Sequence, residues 1–282
     1  MPDIQTALDT AAQRLSLHDT ARLDAELLLA KVLGRDRTWL HTWPETELTA
    51  RQERRFHALV ERRARGEPVA HLLGRQAFWS LDLAVSPDTL IPRPATETLV
   101  ELALARIPFA APWRIADLGT GSGAIALALA RERPACDIVA TDVSAAALAI
   151  ARANAHRLEL DNIAFVEGDW LGPLQEQPLF QMIVSNPPYV RTADPHLSRG
   201  DVRFEPASAL VSGSDGLDAL RALTRAARPH LVPGGWLLLE HGHDQAGAVI
   251  ALLREAGFDN PEDFRDLAGQ PRVAVGQNPV IP

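Results

Sequence analysis

The sequence predicts an α/β protein in which a small all-α domain precedes a larger domain of alternating strands and helices. Two observations support this prediction. Apolar residues recur at helical spacing through about residue 74. From residue 113 onward, short apolar runs alternate with alanine-rich helical stretches, a pattern typical of a parallel sheet covered by helices. We therefore assign residues 1–74 to a helical domain, residues 75–112 to a hairpin and connector, and residues 113–282 to the α/β domain.

Length and composition are consistent with this division. A chain of 282 residues can form one large domain and one small one, and its 46% apolar and 23% charged residues are ordinary for a globular protein. No apolar run reaches the roughly 18 residues of a membrane span, and the N-terminus lacks a basic-then-apolar signal pattern. The single cysteine, Cys136, excludes an internal disulfide and a multi-cysteine metal site. We expect a cytoplasmic protein with no membrane association.

The charged residues exclude some functions. A formal net charge of −8 argues against attraction of the whole molecule to nucleic acid. Lys31, the only lysine, lies in an amphipathic helical pattern, which argues against Schiff-base chemistry. Six arginines between residues 51 and 65 belong to a helix that Thr49 and Gln52 open as a capping box. A solvated helix face explains them, and a surface for a protein or ribonucleoprotein partner is the alternative.

A glycine-rich turn follows the first predicted strand of the α/β domain, residues 114–118. Its glycines, at positions 119, 121 and 123, allow a sharp turn and close approach of a ligand to the main chain. The next strand leads to Asp142, which lies 23 residues after Gly119 (142 − 119) and can accept hydrogen bonds from both hydroxyls of a ribose. The two features together predict a nucleoside cofactor, with a ligand-free turn as the alternative.

The glycine spacing also bears on which nucleoside is bound. Dinucleotide sites usually carry G-x-G-x-x-G, whereas this turn carries G-x-G-x-G, which disfavours NAD but leaves it open. Asp117 precedes the glycines and would place a negative charge near the ligand. Such a charge suits a sulfonium and an ammonium better than a diphosphate. S-adenosylmethionine fits this pattern.

Two further segments are predicted to reach the same crevice. Asp169 and Trp170 follow the strand at residues 163–166 and could hold an adenine by its amino group and its apolar face; a loop charge and a packed ring are the alternative. The strand at residues 180–185 ends at Asn186. Ligands of open α/β sheets bind at the carboxyl ends of the strands, so these segments and the glycine turn should converge.

The strand that ends at Asn186 continues as Asn186-Pro187-Pro188-Tyr189. The prolines prevent continuation as strand or helix and restrict the residue before each of them. The Asn186 side-chain oxygen and the Pro187 carbonyl could accept both N–H groups of an amide or aromatic amine, while Tyr189 could stack on the planar group. A simple strand-ending turn is the alternative.

Together with residues 117–123, this motif resembles the Rossmann-like methyltransferases that modify planar nitrogens. Residues 90–97, 200–206 and 237–242 narrow the resemblance to the bacterial peptide chain release factor glutamine methyltransferases. The resemblance covers nearly the whole chain, including the helical N-terminal region. Ala95 departs from the family pattern, which usually has an acidic residue at this position.

The resemblance implies a seven-stranded sheet whose last strand is antiparallel, with residues 258–264 and 272–275 as the final pair. It implies a substrate glutamine in the Gly-Gly-Gln motif of class 1 peptide chain release factors, methylated on its amide nitrogen. S-adenosylmethionine would become S-adenosylhomocysteine without a metal or direct nucleic-acid contact. The helical domain would recognise the protein substrate.

The candidate site residues follow from the motifs and from this resemblance. The cofactor would contact Asp117, Gly119, Thr120, Gly121, Ser122, Gly123, Asp142, Asp169, Trp170 and Asn186. The substrate would contact Asn186, Pro187, Pro188 and Tyr189, of which Asn186, Pro187 and Tyr189 would be catalytic.

Other charged or polar residues receive supporting roles. Arg93 is a candidate for holding an incoming carbonyl or a neighbouring loop. Arg203 and Glu205 are expected to shape the substrate side or to pair with each other. His241, at a strand end, is expected to be a hydrogen-bonded structural residue.

Three alternative functions remain open from the sequence. A DNA adenine methyltransferase would share Asn-Pro-Pro-Tyr, but the acidic balance does not support a DNA-facing surface. A glutamine methyltransferase acting on a ribosomal protein differs mainly in the helical region and residues 200–206. A non-catalytic nucleoside-binding adaptor of the translation machinery is the third.

Overall fold

The computed structural model describes residues 1–280, and the chain divides into two compact units. The first unit comprises Met1–Arg75 together with His196–Phe204, and the second comprises Gln76–Pro195 and residues 205–280. Residues 196–204 thus pack with the first unit, although they lie within the sequence range 113–282. An ion pair contributes to this packing, because the Arg63 guanidinium bonds Asp24 Oδ2 and Asp201 Oδ1, each at 2.7 Å.

The first unit is helical. Its helix ends follow local sequence signals: Asp3 caps α1, and Gly34 ends α2 with a φ of 64° that favours glycine. Thr49 and Gln52 form the predicted capping box at the start of α4. The helices are Ile4–Arg14 (α1), Ala21–Leu33 (α2), Arg37–Thr42 (α3), Ala50–Ala64 (α4) and Val69–Leu73 (α5).

The strands Arg75–Phe78 (β1) and Leu81–Ala84 (β2) form a hairpin, which belongs to the second unit from Gln76 onward. Leu81, Leu83 and Val85 are buried as the predicted alternation requires. A seven-stranded sheet follows among the described residues. Its strands are Arg114–Leu118 (β3), Asp137–Asp142 (β4), Ile163–Glu167 (β5), Phe180–Ser185 (β6), Leu231–Glu240 (β7), Asp259–Arg265 (β8) and Pro271–Gln277 (β9).

The strand order is β5-β4-β3-β6-β7-β9-β8, and the order reverses between β3 and β6. The five strands β5, β4, β3, β6 and β7 are parallel to their neighbours in this order, whereas β9 is antiparallel to both β7 and β8. The prediction of a seven-stranded Rossmann-like sheet with an antiparallel last strand is confirmed. Such a reversal opens a crevice at the carboxyl ends of the two central strands.

Helices cover both faces of the sheet, and strand side chains alternate between two apolar clusters. Ile115 and Val184 face α6 and α7, whereas Ala116 and Ile183 belong to the cluster that contains side chains of α9 and α10. Within residues 1–280, no helix has the length and apolar character needed to cross a membrane. The helices are Glu97–Arg106 (α6), Ala124–Glu132 (α7), Ala145–Arg157 (α8), Asp218–Ala227 (α9) and Ala246–Glu255 (α10).

Candidate active site

The carboxyl ends of the parallel strands bring the separate sequence motifs together. Strand register pairs Leu118 with Thr141 on one side and with Ser185 on the other, so the segments that follow β3, β4 and β6 leave the sheet side by side. A cavity opens at this edge. Its lining includes the predicted residues Gly119, Thr120, Gly121, Ser122, Asp142, Asp169, Trp170, Asn186 and Pro188.

The glycine turn is shaped by its backbone. Gly119 has a φ of 72°, and an added Cβ would lie 3.0 Å from the Trp170 ring. Gly121 has a φ of 56°, and an added Cβ would meet no heavy atom within 4 Å, so the space beside it is open. The Gly119 and Thr120 N–H groups both donate to the Thr141 carbonyl at 2.9 Å, which ties the turn to β4. At Gly121 the turn therefore presents its backbone to open space.

Asp142 holds the loops on both sides of it. Its Oδ2 accepts a hydrogen bond from the Gly121 N–H at 2.8 Å, and its Oδ1 accepts one from the Ser144 N–H at 2.9 Å. A carboxylate oxygen can accept more than one hydrogen bond, so both oxygens keep acceptor capacity at the cavity. Asp142 can therefore fix the turn and bind two hydroxyls at once.

Asp169 and Trp170 lie beside this turn, where both line the cavity. Trp170 has a positive φ of 48°, which is uncommon for a bulky residue. The Thr141 hydroxyl donates to the Trp170 carbonyl at 3.0 Å and helps to hold this conformation. The indole ring therefore stands next to the backbone of Gly119.

Asp117 lies beneath the glycine turn and does not line the cavity. Its Oδ2 accepts hydrogen bonds from the Thr120 hydroxyl at 2.6 Å and from the Ala126 N–H at 3.2 Å. Its Oδ1 is buried and has no hydrogen-bond partner within residues 1–280. Burial raises the pKa of Asp117 to about 7, although these two hydrogen bonds lower it. The nearby charge of Asp142 also raises this pKa.

Asn186 leaves β6 at the centre of the cavity edge. Its side-chain Nδ2 donates to the Thr96 hydroxyl oxygen at 3.1 Å. The preceding Ser185 hydroxyl donates to the Leu118 carbonyl at 2.6 Å, which links the Asn-Pro-Pro-Tyr segment to the base of the glycine turn. Pro188 lines the cavity, whereas Pro187 is buried behind it. The structure therefore brings Asn186 and the glycine turn to one cavity.

Tyr189 is partly buried and packs against the apolar cluster on the α9 and α10 side of the sheet. Its hydroxyl donates to Glu240 Oε1 at 3.1 Å. Burial and the nearby Glu240 carboxylate raise the pKa of the Tyr189 hydroxyl. The ring is not among the cavity-lining side chains, so stacking of Tyr189 on a substrate stays a prediction.

Sequence reasoning missed several residues of this site. The segment treated as a connector lines the cavity through Asp88, Thr89, Leu90, Pro92 and Thr96. Pro206, Ser208 and Ala209 line it as well. The resemblance already included residues 90–97, but nothing in their local pattern shows that they fold back onto strands placed later in the chain.

Arg93 and Glu205 hold these two segments together. The Arg93 guanidinium forms an ion pair with Glu205, whose other carboxylate oxygen accepts the Ile91 N–H at 3.1 Å. Arg203 donates to the Arg65 carbonyl within the first compact unit, and its pairing with Glu205 stays a prediction. Arg93 thus holds a neighbouring loop, as one of its two expected roles requires.

His241 is a buried structural residue, as expected. Its Nε2 lies 2.9 Å from Asp263 Oδ1, and its Nδ1 lies 2.9 Å from the Gly242 carbonyl. Within residues 1–280, no three or more histidine, cysteine, aspartate or glutamate side chains lie together so that they could hold a metal ion.

Comparison with known proteins places the chain in a family. Residues 6–74 match the family described as the PrmC N-terminal domain, and residues 94–248 match the Methyltransferase small domain. Among solved structures, a methyltransferase from Pyrococcus furiosus superposes with a TM-score of 0.56 at 19% identity, covering 78% of this chain and 99% of that one. This likeness concerns the fold alone.

Sequence relatives are more specific. The chain is 53% identical over 279 residues to the release factor glutamine methyltransferase of Xylella fastidiosa (strain Temecula1 / ATCC 700964), with 99% of each chain covered. It is 49% identical over 275 residues to the protein of the same name from Escherichia coli (strain K12), which covers 98% of this chain and 99% of that one. The chain therefore belongs to the release factor glutamine methyltransferase family, whose members are protein-glutamine methyltransferases.

Proposed function

We propose that this protein transfers a methyl group from S-adenosylmethionine to the side-chain amide nitrogen of the glutamine in the Gly-Gly-Gln motif of class 1 peptide chain release factors. The products are N5-methylglutamine and S-adenosylhomocysteine. The reaction uses no metal and no direct contact with nucleic acid, and it takes place in the cytoplasm. The observation that carries the proposal is that Asn186 shares one cavity with the glycine turn while its amide nitrogen is already engaged by Thr96.

The residues around the glycine turn fit S-adenosylmethionine. The open space beside Gly121 admits a ligand against the main chain. Asp142 offers acceptor capacity for the two ribose hydroxyls, and Asp169 with the Trp170 ring offers a polar and an apolar contact for adenine. Asp117 supports the turn from below through its Oδ2, which accepts hydrogen bonds from the Thr120 hydroxyl and the Ala126 N–H. S-adenosylmethionine supplies an electrophilic methyl group on its sulfonium.

The chemical task of Asn186 and Pro187 is to make an amide nitrogen reactive. That nitrogen is a poor nucleophile because its lone pair is delocalised into the carbonyl group. Asn186 Oδ1 and the Pro187 carbonyl accept the two N–H groups of the substrate and raise the electron density on nitrogen. One of these protons is lost to solvent overall. Positioning and fixed dipoles therefore carry the rate, without a dedicated side-chain base.

The two prolines make these acceptors rigid. Proline has a fixed φ and no N–H, so Pro187 and Pro188 present acceptors only and restrict the backbone of the residues before them. The next residue, Val190, is also fixed by its backbone. Its N–H donates to the Leu210 carbonyl at 2.8 Å, and its carbonyl accepts from the Ser212 N–H at 2.9 Å. The segment is held at both ends before any substrate binds.

The first compact unit supplies partner choice in this proposal. Its apolar core is built from its own helices, so it can present a surface without sharing in the chemistry. We expect a chain that starts at Gln76 to retain S-adenosylmethionine binding and to methylate intact release factor poorly. Full activity of that shortened chain toward release factor would show that the first compact unit does not choose the protein substrate.

The test is methyl transfer from labelled S-adenosylmethionine to purified class 1 release factor. Parallel acceptors are a release factor with Gln replaced by Ala in the Gly-Gly-Gln motif, ribosomal proteins, and DNA. We expect label on the unaltered release factor alone. Label on a ribosomal protein or DNA would keep methyl transfer and overturn the substrate, whereas binding of S-adenosylmethionine with no acceptor labelled would favour the adaptor alternative.

A further inference from the structure

Thr96 and Glu240 lie behind the Asn-Pro-Pro-Tyr segment. Thr96 ends the short 3₁₀ turn Pro94–Thr96 directly before α6, and its side chain is buried at the edge of the cavity. Its hydroxyl oxygen accepts a hydrogen bond from Asn186 Nδ2 at 3.1 Å. A hydroxyl has a single proton to donate, and that proton must point away from the amide nitrogen it accepts from.

Glu240 is the candidate acceptor of a hydrogen bond from this hydroxyl. It ends β7 and is fully buried, and its Oε1 accepts from the Tyr189 hydroxyl at 3.1 Å. Its Oε2 makes no hydrogen bond of standard geometry to any atom of residues 1–280. Burial raises the pKa of Glu240, and among the groups that oppose this rise the Thr96 hydroxyl has the largest effect, followed by Arg272. The Thr96 hydroxyl therefore interacts with a carboxyl group that has one oxygen without a hydrogen-bond partner among residues 1–280.

We propose that Thr96 and Glu240 are positioning residues that set the orientation of the Asn186 amide. In its ionised form Glu240 only accepts hydrogen bonds, and its Oε2 accepts one from the Thr96 hydroxyl. The Thr96 oxygen is then left to accept from Asn186 Nδ2, so Asn186 Oδ1 faces the cavity. With the opposite orientation, Asn186 Nδ2 would face the cavity, and its N–H groups would point at the N–H groups of the substrate amide.

This inference rests on the proposed function, because the orientation of Asn186 matters for catalysis only if Oδ1 accepts from a substrate amide. It also extends that function, since Thr96 and Glu240 need not touch the substrate. The proposal also gives the Tyr189 hydroxyl a structural role. This hydroxyl donates to Oε1 of Glu240, so Oε2 is left to accept from Thr96.

The test compares substitutions that keep or remove the Thr96 hydroxyl. Thr96→Val removes it at similar volume, and Thr96→Ser retains it. Thr224→Val is the matched control, since Thr224 is also buried and its hydroxyl donates to the Leu220 carbonyl at 2.8 Å inside α9. We expect Thr96→Val to lower kcat by about tenfold, an effect comparable with one hydrogen bond. Thr96→Ser and Thr224→Val should stay within about twofold of the unaltered chain.

Glu240→Gln tests the carboxylate at nearly constant shape. Its amide can donate to Thr96, which lets the hydroxyl donate to Asn186 and favours the opposite amide orientation. We expect kcat to fall by about tenfold, with KM for release factor and Kd for S-adenosylmethionine changed by less than about threefold. Unchanged kcat in both Thr96→Val and Glu240→Gln, or an equal loss in Thr224→Val, would overturn the proposal.

A second readout does not depend on activity. The side-chain NH₂ resonances of Asn186 can be identified by their loss in Asn186→Ala, and their hydrogen exchange can be measured by NMR on the free chain. We expect slow exchange in the unaltered chain and in Thr96→Ser, and fast exchange in Thr96→Val. If the unaltered chain methylated no release factor, the proposed function would fail, and this measurement would still decide the orientation. Equal exchange in all three chains would overturn it.

Discussion

The glycine turn and the Asn-Pro-Pro-Tyr segment follow neighbouring parallel strands, yet they are built by opposite means. The glycine turn takes positive φ angles and has open space beside its backbone at Gly121. The Asn-Pro-Pro-Tyr segment has two residues that cannot donate, and it exposes acceptors. One segment is therefore shaped by backbone freedom, and the other by backbone restriction.

Both segments rest on a buried carboxyl group, and the two supports also differ. One oxygen of Asp117 accepts hydrogen bonds from Thr120 and Ala126, which lie in the turn and helix that directly follow Asp117 in the sequence. Glu240 has Tyr189 as its donor, and it comes from a strand 51 residues further along the chain. The glycine turn is thus supported by local residues, whereas the Asn-Pro-Pro-Tyr segment needs the assembled sheet.

The largest effect should come from Asn186→Ala, which separates the two segments by their roles. We expect kcat to fall by about 100- to 1000-fold because an oriented acceptor at the reacting nitrogen is lost. Kd for S-adenosylmethionine should change little, because the glycine turn is intact. Rapid-quench methyl transfer and calorimetric binding measure the two quantities. A large loss of cofactor affinity with normal kcat would reverse the assignment of roles.

Asp117→Asn tests the support beneath the glycine turn. The pKa of Asp117 is about 7 in the folded chain and 3.8 ordinarily, so between these values the folded state binds more protons than the unfolded state. The free energy of unfolding should therefore fall as pH rises from about 4 to about 7, by on the order of 3 kcal/mol. Asparagine has no such titration and should remove this decline.

Denaturant unfolding at several pH values measures the effect. Asp161→Asn, at an exposed position, is the control and should retain the decline of the unaltered chain. An unchanged pH profile in Asp117→Asn would show that this carboxyl group does not titrate in that range.

Asp142→Ala should give an intermediate effect on cofactor binding. The substitution removes the acceptor of the Gly121 and Ser144 N–H groups together with the proposed ribose contacts. We expect Kd for S-adenosylmethionine to rise by about 10- to 100-fold. Once saturated with cofactor, the variant should keep kcat within a few-fold. A fall in kcat as large as that of Asn186→Ala, with constant Kd, would contradict the assignment of cofactor binding to the glycine turn and of the chemistry to the Asn-Pro-Pro-Tyr segment.

Tyr189→Phe should have the smallest effect. It removes the hydroxyl that donates to Glu240 and keeps the ring packed on its apolar cluster. We expect about 1 kcal/mol of destabilisation and a several-fold lower kcat, with Kd for S-adenosylmethionine unchanged. Thermal unfolding and methyl transfer measure both. A loss of kcat as large as that of Asn186→Ala would assign the hydroxyl itself to the chemistry.

Local sequence signals predicted most of the fold. The helix ends at Gly34 and Thr49, the hairpin alternation at Leu81 and Leu83, and the strand that stops at Asn186 all depend on neighbouring residues. The antiparallel last strand came from family resemblance, because no local pattern distinguishes it from a parallel one. Placement of residues 196–204 with the first unit could not be predicted, since it depends on Asp201 meeting an arginine far away in sequence.

The sequence by itself determined which segments have the chemistry that we propose for a nucleoside site and for an amide site, because glycine freedom, proline restriction and carboxylate chemistry belong to the residues. Only the tertiary structure decided what stands behind them. Strand order brings Glu240 under Tyr189, and the chain path brings Thr96 to Asn186 across 90 residues. Such pairings depend on distance in space, which spacing along the chain does not encode. Burial then decides their strength, since a carboxyl group excluded from water depends on the few donors that the fold places beside it.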